Sequence, residues 1–144
     1  MCSRYPANQR GVSLIEVLVS VLVLSFGLLG LAALQTNALR NNQSSFQRTV
    51  AVMLTYYITD AIRIDRTNIA SYSMGKTCTV PSSGSGLAPS NQKKWLEAIQ
   101  SNMGDTACGQ ITCNTNDCTV TIFWNDERAI GGRTEQQLEM RTRI

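Results

Sequence analysis

Apolar positions follow three successive patterns along the chain. From Val12 to Leu34 they are almost continuous, with Ser13, Ser20, Ser25, Gly27 and Gly30 interspersed and Glu16 the single ionisable residue. At about 1.5 Å per residue this run makes a helix of roughly 34 Å, enough to cross a hydrocarbon core. Between Arg40 and Asn68 the pattern becomes amphipathic. Phe46, Val50, Met53, Leu54, Tyr57, Ile58, Ala61 and Ile64 recur at three- and four-residue steps, with Gln47, Arg48, Thr55, Asp60 and Arg63 off that stripe. No proline interrupts Val12 to Arg66, which predicts one helix of about 80 Å. Its first half suits lipid or a bundle of like helices, and its second half suits a globular head. Gly27 and Gly30 each cost about 1 kcal/mol inside a helix; they mark a place to bend or permit close helix contact.

Beyond Tyr72 the pattern shortens. Pro81 to Gly86, "PSSGSG", reads as an exposed loop. Asn91 to Met103 reads as a short helix with Trp95, Leu96, Ile99 and Met103 on its apolar face, capped by Ser90 or Asn91 and ended by Gly104. "CTVTIFWND", Cys118 to Asp126, alternates as a strand does, and "QITC" before it makes a hairpin. The C-terminal "EQQLEMRTRI" places Leu138, Met140, Thr142 and Ile144 on one face, a final strand. "NDERAIGGRTE" connects the two. Its "NDER" holds two carboxylates with no convergent base or metal partner and reads as a solvated turn. The fold class expected is α+β: a long N-terminal helix, residues 12–68, with a small antiparallel sheet head, residues 69–144.

Composition narrows the function. The 144 residues fit one domain plus an anchor. Net charge is +3, and without Arg4 and Arg10 the chain carries eleven basic and ten acidic residues, unlike the clustered basic face of a nucleic-acid binder. Histidine is absent, which removes Ser-His and Cys-His nucleophile pairs and imidazole proton shuttles. Neither a GxxxxGK[ST] loop nor a GxGxxG fingerprint occurs. An enzyme, a cofactor and a small-molecule substrate are therefore not expected.

Cys2 lies in the N-terminal segment, and Cys78, Cys108, Cys113 and Cys118 lie in the second half. Four cysteines in a small region beyond an apolar segment suggest two disulfides in an oxidising compartment. The rival is a zinc site, but no CxxC pair is present. Three connectivities satisfy four cysteines. The hairpin favours Cys113 with Cys118, leaving Cys78 with Cys108. A head of about seventy residues gains from such staples.

Glu16 needs a reason, because a carboxylate at the bilayer centre costs about 2.5–3.5 kcal/mol. A plain anchor or a long signal peptide gives none. Cutting the chain after Gly11 gives one: the new amine of Val12 is a positive charge within a turn of Glu16. In a bundle, Glu16 of one copy could pair with the Val12 amine of a neighbour. Such a pair adds little net stability but fixes register, since a misplaced partner leaves a buried charge alone.

"RGVSLIEVLV" resembles the class III signal of type IV pilins and their relatives: a short basic leader, glycine, and an apolar helix with an early glutamate. The resemblance implies a leader, residues 1–11, cleaved between Gly11 and Val12 by the prepilin peptidase, then N-methylation of Val12. It implies Glu16 in subunit recruitment. Val12 departs from the usual phenylalanine. "GLLGLAALQTNALRNNQSS" is similar to minor pilins of the PilV type, as is "AVMLTYYITDAIRIDRTNIASY" through Ala51, Leu54, Asp60 and Arg63. The likeness runs from Gly11 to Tyr72 and returns weakly at "CTVTIFW". It implies a minor pilin that sits in the bacterial inner membrane with its head in the periplasm, works with other minor and major pilins and the inner-membrane assembly platform, and enters a surface pilus serving adhesion, twitching motility or DNA uptake. A minor pseudopilin of a type II secretion system shares the N-terminal motif and is the alternative.

Overall fold

The computed structural model describes residues 11–82 and 84–144. By its internal contacts the chain divides into two units, Met1–Ala38 and Leu39–Ile144. Helix α1, Leu14–Ile64, is followed by a 3-10 turn, Arg66–Tyr72, then β1 (Met74–Thr77), α2 (Leu87–Met103), β2 (Cys108–Cys113), β3 (Asp117–Trp124) and β4 (Gln136–Arg143). The four strands form one antiparallel sheet in the order β1-β2-β3-β4. This is the α+β, pilin-like architecture that the pattern predicts.

In the first unit, every described residue of α1 is exposed, and this apolar stretch is long enough to cross a membrane. Its hydroxyls are satisfied within the helix. Ser20 donates to the carbonyl of Glu16 (2.8 Å), Ser25 to that of Val21 (2.7 Å) and Thr36 to that of Ala32 (3.0 Å). Such back-bonding lets polar side chains sit in an apolar helix without an orphaned donor.

In the second unit, the core joins α1, α2 and the inner face of the sheet. The α2 stripe is buried as its spacing predicts, with Trp95, Leu96 and Ile99 fully enclosed. The Trp95 indole N–H donates to the Leu54 carbonyl at 2.9 Å, tying α2 to α1. Gly109 on β2 makes room for that indole: a Cβ there would lie 2.5 Å from the Trp95 ring. Two disulfides, Cys78–Cys108 and Cys113–Cys118, are present, the second joining the facing ends of β2 and β3.

Four details differ from the sequence reading. First, α1 stops at Ile64 rather than continuing to 68, because Asp65 leaves helical geometry (φ −109°, ψ 45°) and its carboxylate accepts from Asn68 Nδ2 at 2.7 Å. Second, the buried stripe of α1 is rotated from the expected one. Val50 and Ile58 are buried as expected and Leu54 and Ala61 pack against the core, but Ala51, Thr55, Thr59 and Ile62 are buried with them, whereas Phe46, Met53, Tyr57 and Ile64 are exposed. Alanine and threonines share the buried face with Ile58 and Ile62, and the aromatic Phe46 and Tyr57 are left outside.

Third, α2 begins at Leu87, after Gly86, and no side chain caps it; Ser90 and Asn91 lie inside the helix. Pro89 is tolerated there because a first-turn N–H has no helical acceptor anyway. The expected stop at Gly104 holds, with its N–H on the Gln100 carbonyl. Fourth, "NDER" is not a solvated turn throughout, because Asp126 is buried.

Candidate functional site

The N-terminal candidate residues lie at the start of α1. Gly11 is exposed, and the position of a Cβ there meets no atom within 4 Å. Val12 is also exposed. The Ser13 carbonyl accepts the first helical bonds, from Glu16 N–H (3.0 Å) and Val17 N–H (3.3 Å). Ser13 is thus the N-cap and Glu16 the third residue of the helix, the spacing of a capping box. Among the described residues neither the Ser13 hydroxyl nor the Glu16 carboxylate makes a side-chain hydrogen bond, so the carboxylate is available to an outside partner. The helix dipole favours a negative charge in this first turn. Arg4 and Arg10, and Cys2, lie outside the described residues.

Among the described residues, Gly11 and Val12 therefore form an exposed backbone, and Glu16 in the first turn of α1 has no side-chain partner. Val12 lies just before the N-cap, outside the helix, and Glu16 lies four positions further on, in the first turn. The arrangement offers an exposed backbone and an acid that another molecule could recognise.

A second feature lies in the Leu39–Ile144 unit. The Ser44 hydroxyl donates to Asp126 Oδ2 at 2.6 Å, joining α1 to the β3–β4 connection. The connection is knotted around that residue. Asp126 N–H donates to the Arg133 carbonyl, and its own carbonyl accepts from Ala129 N–H, each at 3.0 Å. Gly132 passes so close that a Cβ would fall 1.8 Å from the Asp126 carbonyl oxygen. Beside this contact is a cavity of about 470 Å³ lined by polar side chains, among them Arg40, Gln43, Gln47, Asn102 and Arg128.

Sequence reasoning passed over Asp126 because nothing near it in the chain pairs with it. Its partner is 82 residues away. Gly131-Gly132 was the available signal, since paired glycines mark a tight approach of backbone to backbone. Among the described residues no three His, Cys, Asp or Glu side chains gather as a metal site.

No curated protein and no solved structure matches the chain. Residues 6–32 match the family model described as the prokaryotic N-terminal methylation motif. That span contains Gly11, Val12 and Glu16, and such a motif implies processing by a prepilin peptidase and assembly with other pilins. The match supports a type IV pilin or pseudopilin in general, a family that is structural rather than enzymatic.

Proposed function

We propose that the protein is a minor pilin of the PilV type, cleaved between Gly11 and Val12, N-methylated on Val12 and incorporated into a type IV pilus. The methylation-motif match across residues 6–32 supports the pilin class, and the likeness of the Gly11–Tyr72 segment to minor pilins favours the PilV type. Residues 1–11 act as the leader, 12–34 as the anchor and filament-core helix, 35–68 as the segment that packs on the head, and 69–144 as the disulfide-held head. In the inner membrane the head faces the periplasm, where disulfides form. The assembly platform then lifts the chain into the filament alongside minor and major pilins, in support of adhesion, twitching motility or DNA uptake.

Glu16 selects its place during that transfer. Its carboxylate pairs with the Val12 amine of the adjoining subunit, and the penalty for a buried unpaired charge rejects a shifted register. Hydrolysis of the Gly11–Val12 peptide bond creates that amine, so processing must precede assembly.

The test is mass spectrometry of the chain isolated from its native host, together with its amount in sheared filaments. A mature N-terminus at methylated Val12 is expected. Gly11→Ala should retain the leader, and Glu16→Ala should be trimmed normally yet reach filaments in reduced amount. Normal incorporation of Glu16→Ala would refute the pairing role. Loss of secreted enzymes with intact pili, after deletion of the chain, would instead favour a type II secretion pseudopilin.

A further inference from the structure

The 470 Å³ cavity of the second unit is lined by residues of α1, the end of α2 and the β3–β4 connection. Its volume falls within the range of about 300–1,000 Å³ usual for small-molecule sites, which are mostly walled by apolar side chains. This cavity inverts that proportion. Among its lining residues only Met103 and Ala129 carry apolar side chains.

Helical spacing builds one wall. Arg40, Gln43, Ser44 and Gln47 stand at i, i+3, i+4 and i+7, on one face of α1. Ser44 is committed to Asp126. The amides of Gln43 and Gln47 and the guanidinium groups of Arg40 and Arg128 make no hydrogen bond or ion pair among the described residues.

Asp126 lines the same cavity while only 5% exposed. Ser44 occupies its Oδ2, and its Oδ1 has no partner among the described residues. Buried polar groups are ordinarily hydrogen-bonded, because an unmet one costs free energy. The backbone fixes this acid in place, through its N–H on the Arg133 carbonyl and its carbonyl on the Ala129 N–H. The free acceptor is therefore set in position before any ligand arrives.

The charges of the lining cancel, with Arg40 and Arg128 against Asp126 and Glu127. The C-terminal turn of α2, at Met103, adds the negative end of a helix dipole. That setting is poor for a phosphate or a sulfate. It suits an uncharged ligand rich in hydroxyls, since a hydroxyl donates to a carboxylate, accepts from a guanidinium and does both with an amide.

We propose that this cavity binds a neutral mono- or disaccharide. Ring hydroxyls donate to Asp126 Oδ1, exchange bonds with the Gln43 and Gln47 amides, and accept from Arg40 and Arg128. Among the described residues no aromatic ring lines the cavity for a sugar face to stack on. Binding rests on these hydrogen bonds and is weak, with a Kd of about 1 mM. The cavity belongs wholly to the Leu39–Ile144 unit, so the proposal is independent of the pilin reading.

The test is saturation-transfer NMR on the full chain, in a detergent without a sugar headgroup, with circular dichroism to show that each variant is folded. Lactose, maltose and chitobiose are the probes, and glucuronate and inorganic phosphate the charged comparisons. At least one disaccharide should bind, more tightly than either anion. Gln43→Ala and Arg128→Ala remove exposed side chains that make no internal bond, and each should weaken binding about three- to tenfold. Asp126→Asn should weaken it more; because that change also touches the Ser44 contact, the first two variants decide the matter. Gln137→Ala, on β4 and outside the cavity lining, should bind like wild type. No binding of any disaccharide at about 20 mM, tighter binding of phosphate or glucuronate, folded Gln43→Ala and Arg128→Ala chains that bind like wild type, or an equal loss in Gln137→Ala would each overturn the proposal.

Discussion

The Ser44 hydroxyl and the Asp126 carboxylate meet at 2.6 Å across 82 residues of sequence, and the acid is only 5% exposed. This bond ties the part of α1 nearest the start of the second unit to the connection between β3 and β4. A charge-assisted bond of this kind is stronger than a neutral one, and removing one side leaves the other buried and unmatched. Ser44→Ala should therefore destabilise the head by about 1–3 kcal/mol. Urea unfolding followed by tryptophan fluorescence would measure it. A double-mutant cycle with Asp126→Asn should show coupling, because the two groups share one bond.

Gly109 and Trp95 form a second long-range pair. The indole occupies the space that a Cβ on β2 would need. Gly109→Ala should cost about 1–3 kcal/mol by forcing the ring from its place. Adding Trp95→Leu should cost less in the Gly109→Ala background than in wild type, as unfolding curves of the four chains would reveal.

Thr59 is buried on α1 and its hydroxyl has no partner among the described residues. Thr59→Val keeps the branched shape and removes a polar group that folding strips of water. It should stabilise the head by about 1 kcal/mol, read as an increase in the urea midpoint at unchanged slope.

Burial pushes the Tyr72 phenol above its ordinary pKa of 10.0; the nearby Asp65 carboxylate adds to the rise, and a hydrogen bond from Asn91 opposes it. A raised acid favours the protonated form in the folded state. Its contribution is therefore complete below pH 10 and is lost as pH rises through the folded value. Thermal midpoints should fall more steeply above about pH 10 in wild type than in Tyr72→Phe.

The two disulfides should contribute unequally. Cys78 and Cys108 are separated by 30 residues, and Cys113 and Cys118 by 5. The loop-entropy relation gives about 3.5 kcal/mol for the longer loop and about 2 kcal/mol for the shorter. Replacing each pair with alanine and comparing unfolding free energies checks that ranking.

Local pattern made much of the architecture legible. The α2 stripe and the alternation in β4 each report a periodicity that burial imposes on neighbouring residues, whereas β3 is buried on both faces from Val120 to Trp124. The rotated face of α1 was not legible, because the choice between a stripe through Phe46 and Tyr57 and one through Ala51 and Thr55 depends on how closely α2 and the sheet approach. Phe46 and Tyr57 lie outside despite their bulk. The Gly109–Trp95 and Ser44–Asp126 contacts were hidden for a related reason, since each joins segments that no local spacing connects. At the N-terminus the reverse holds. Gly11, Val12 and Glu16 form a motif of linear spacing, and the helix adds only that the acid lies in the first turn.

The inward-turned hydroxyls of Ser20, Ser25 and Thr36 make the anchor indifferent to its surroundings. Each is already saturated by the carbonyl three or four residues earlier, so exchanging lipid tails for protein neighbours breaks none of these bonds and demands no replacement. Among the described residues these three hydroxyls ask nothing of whatever surrounds the helix, in contrast to the Glu16 carboxylate.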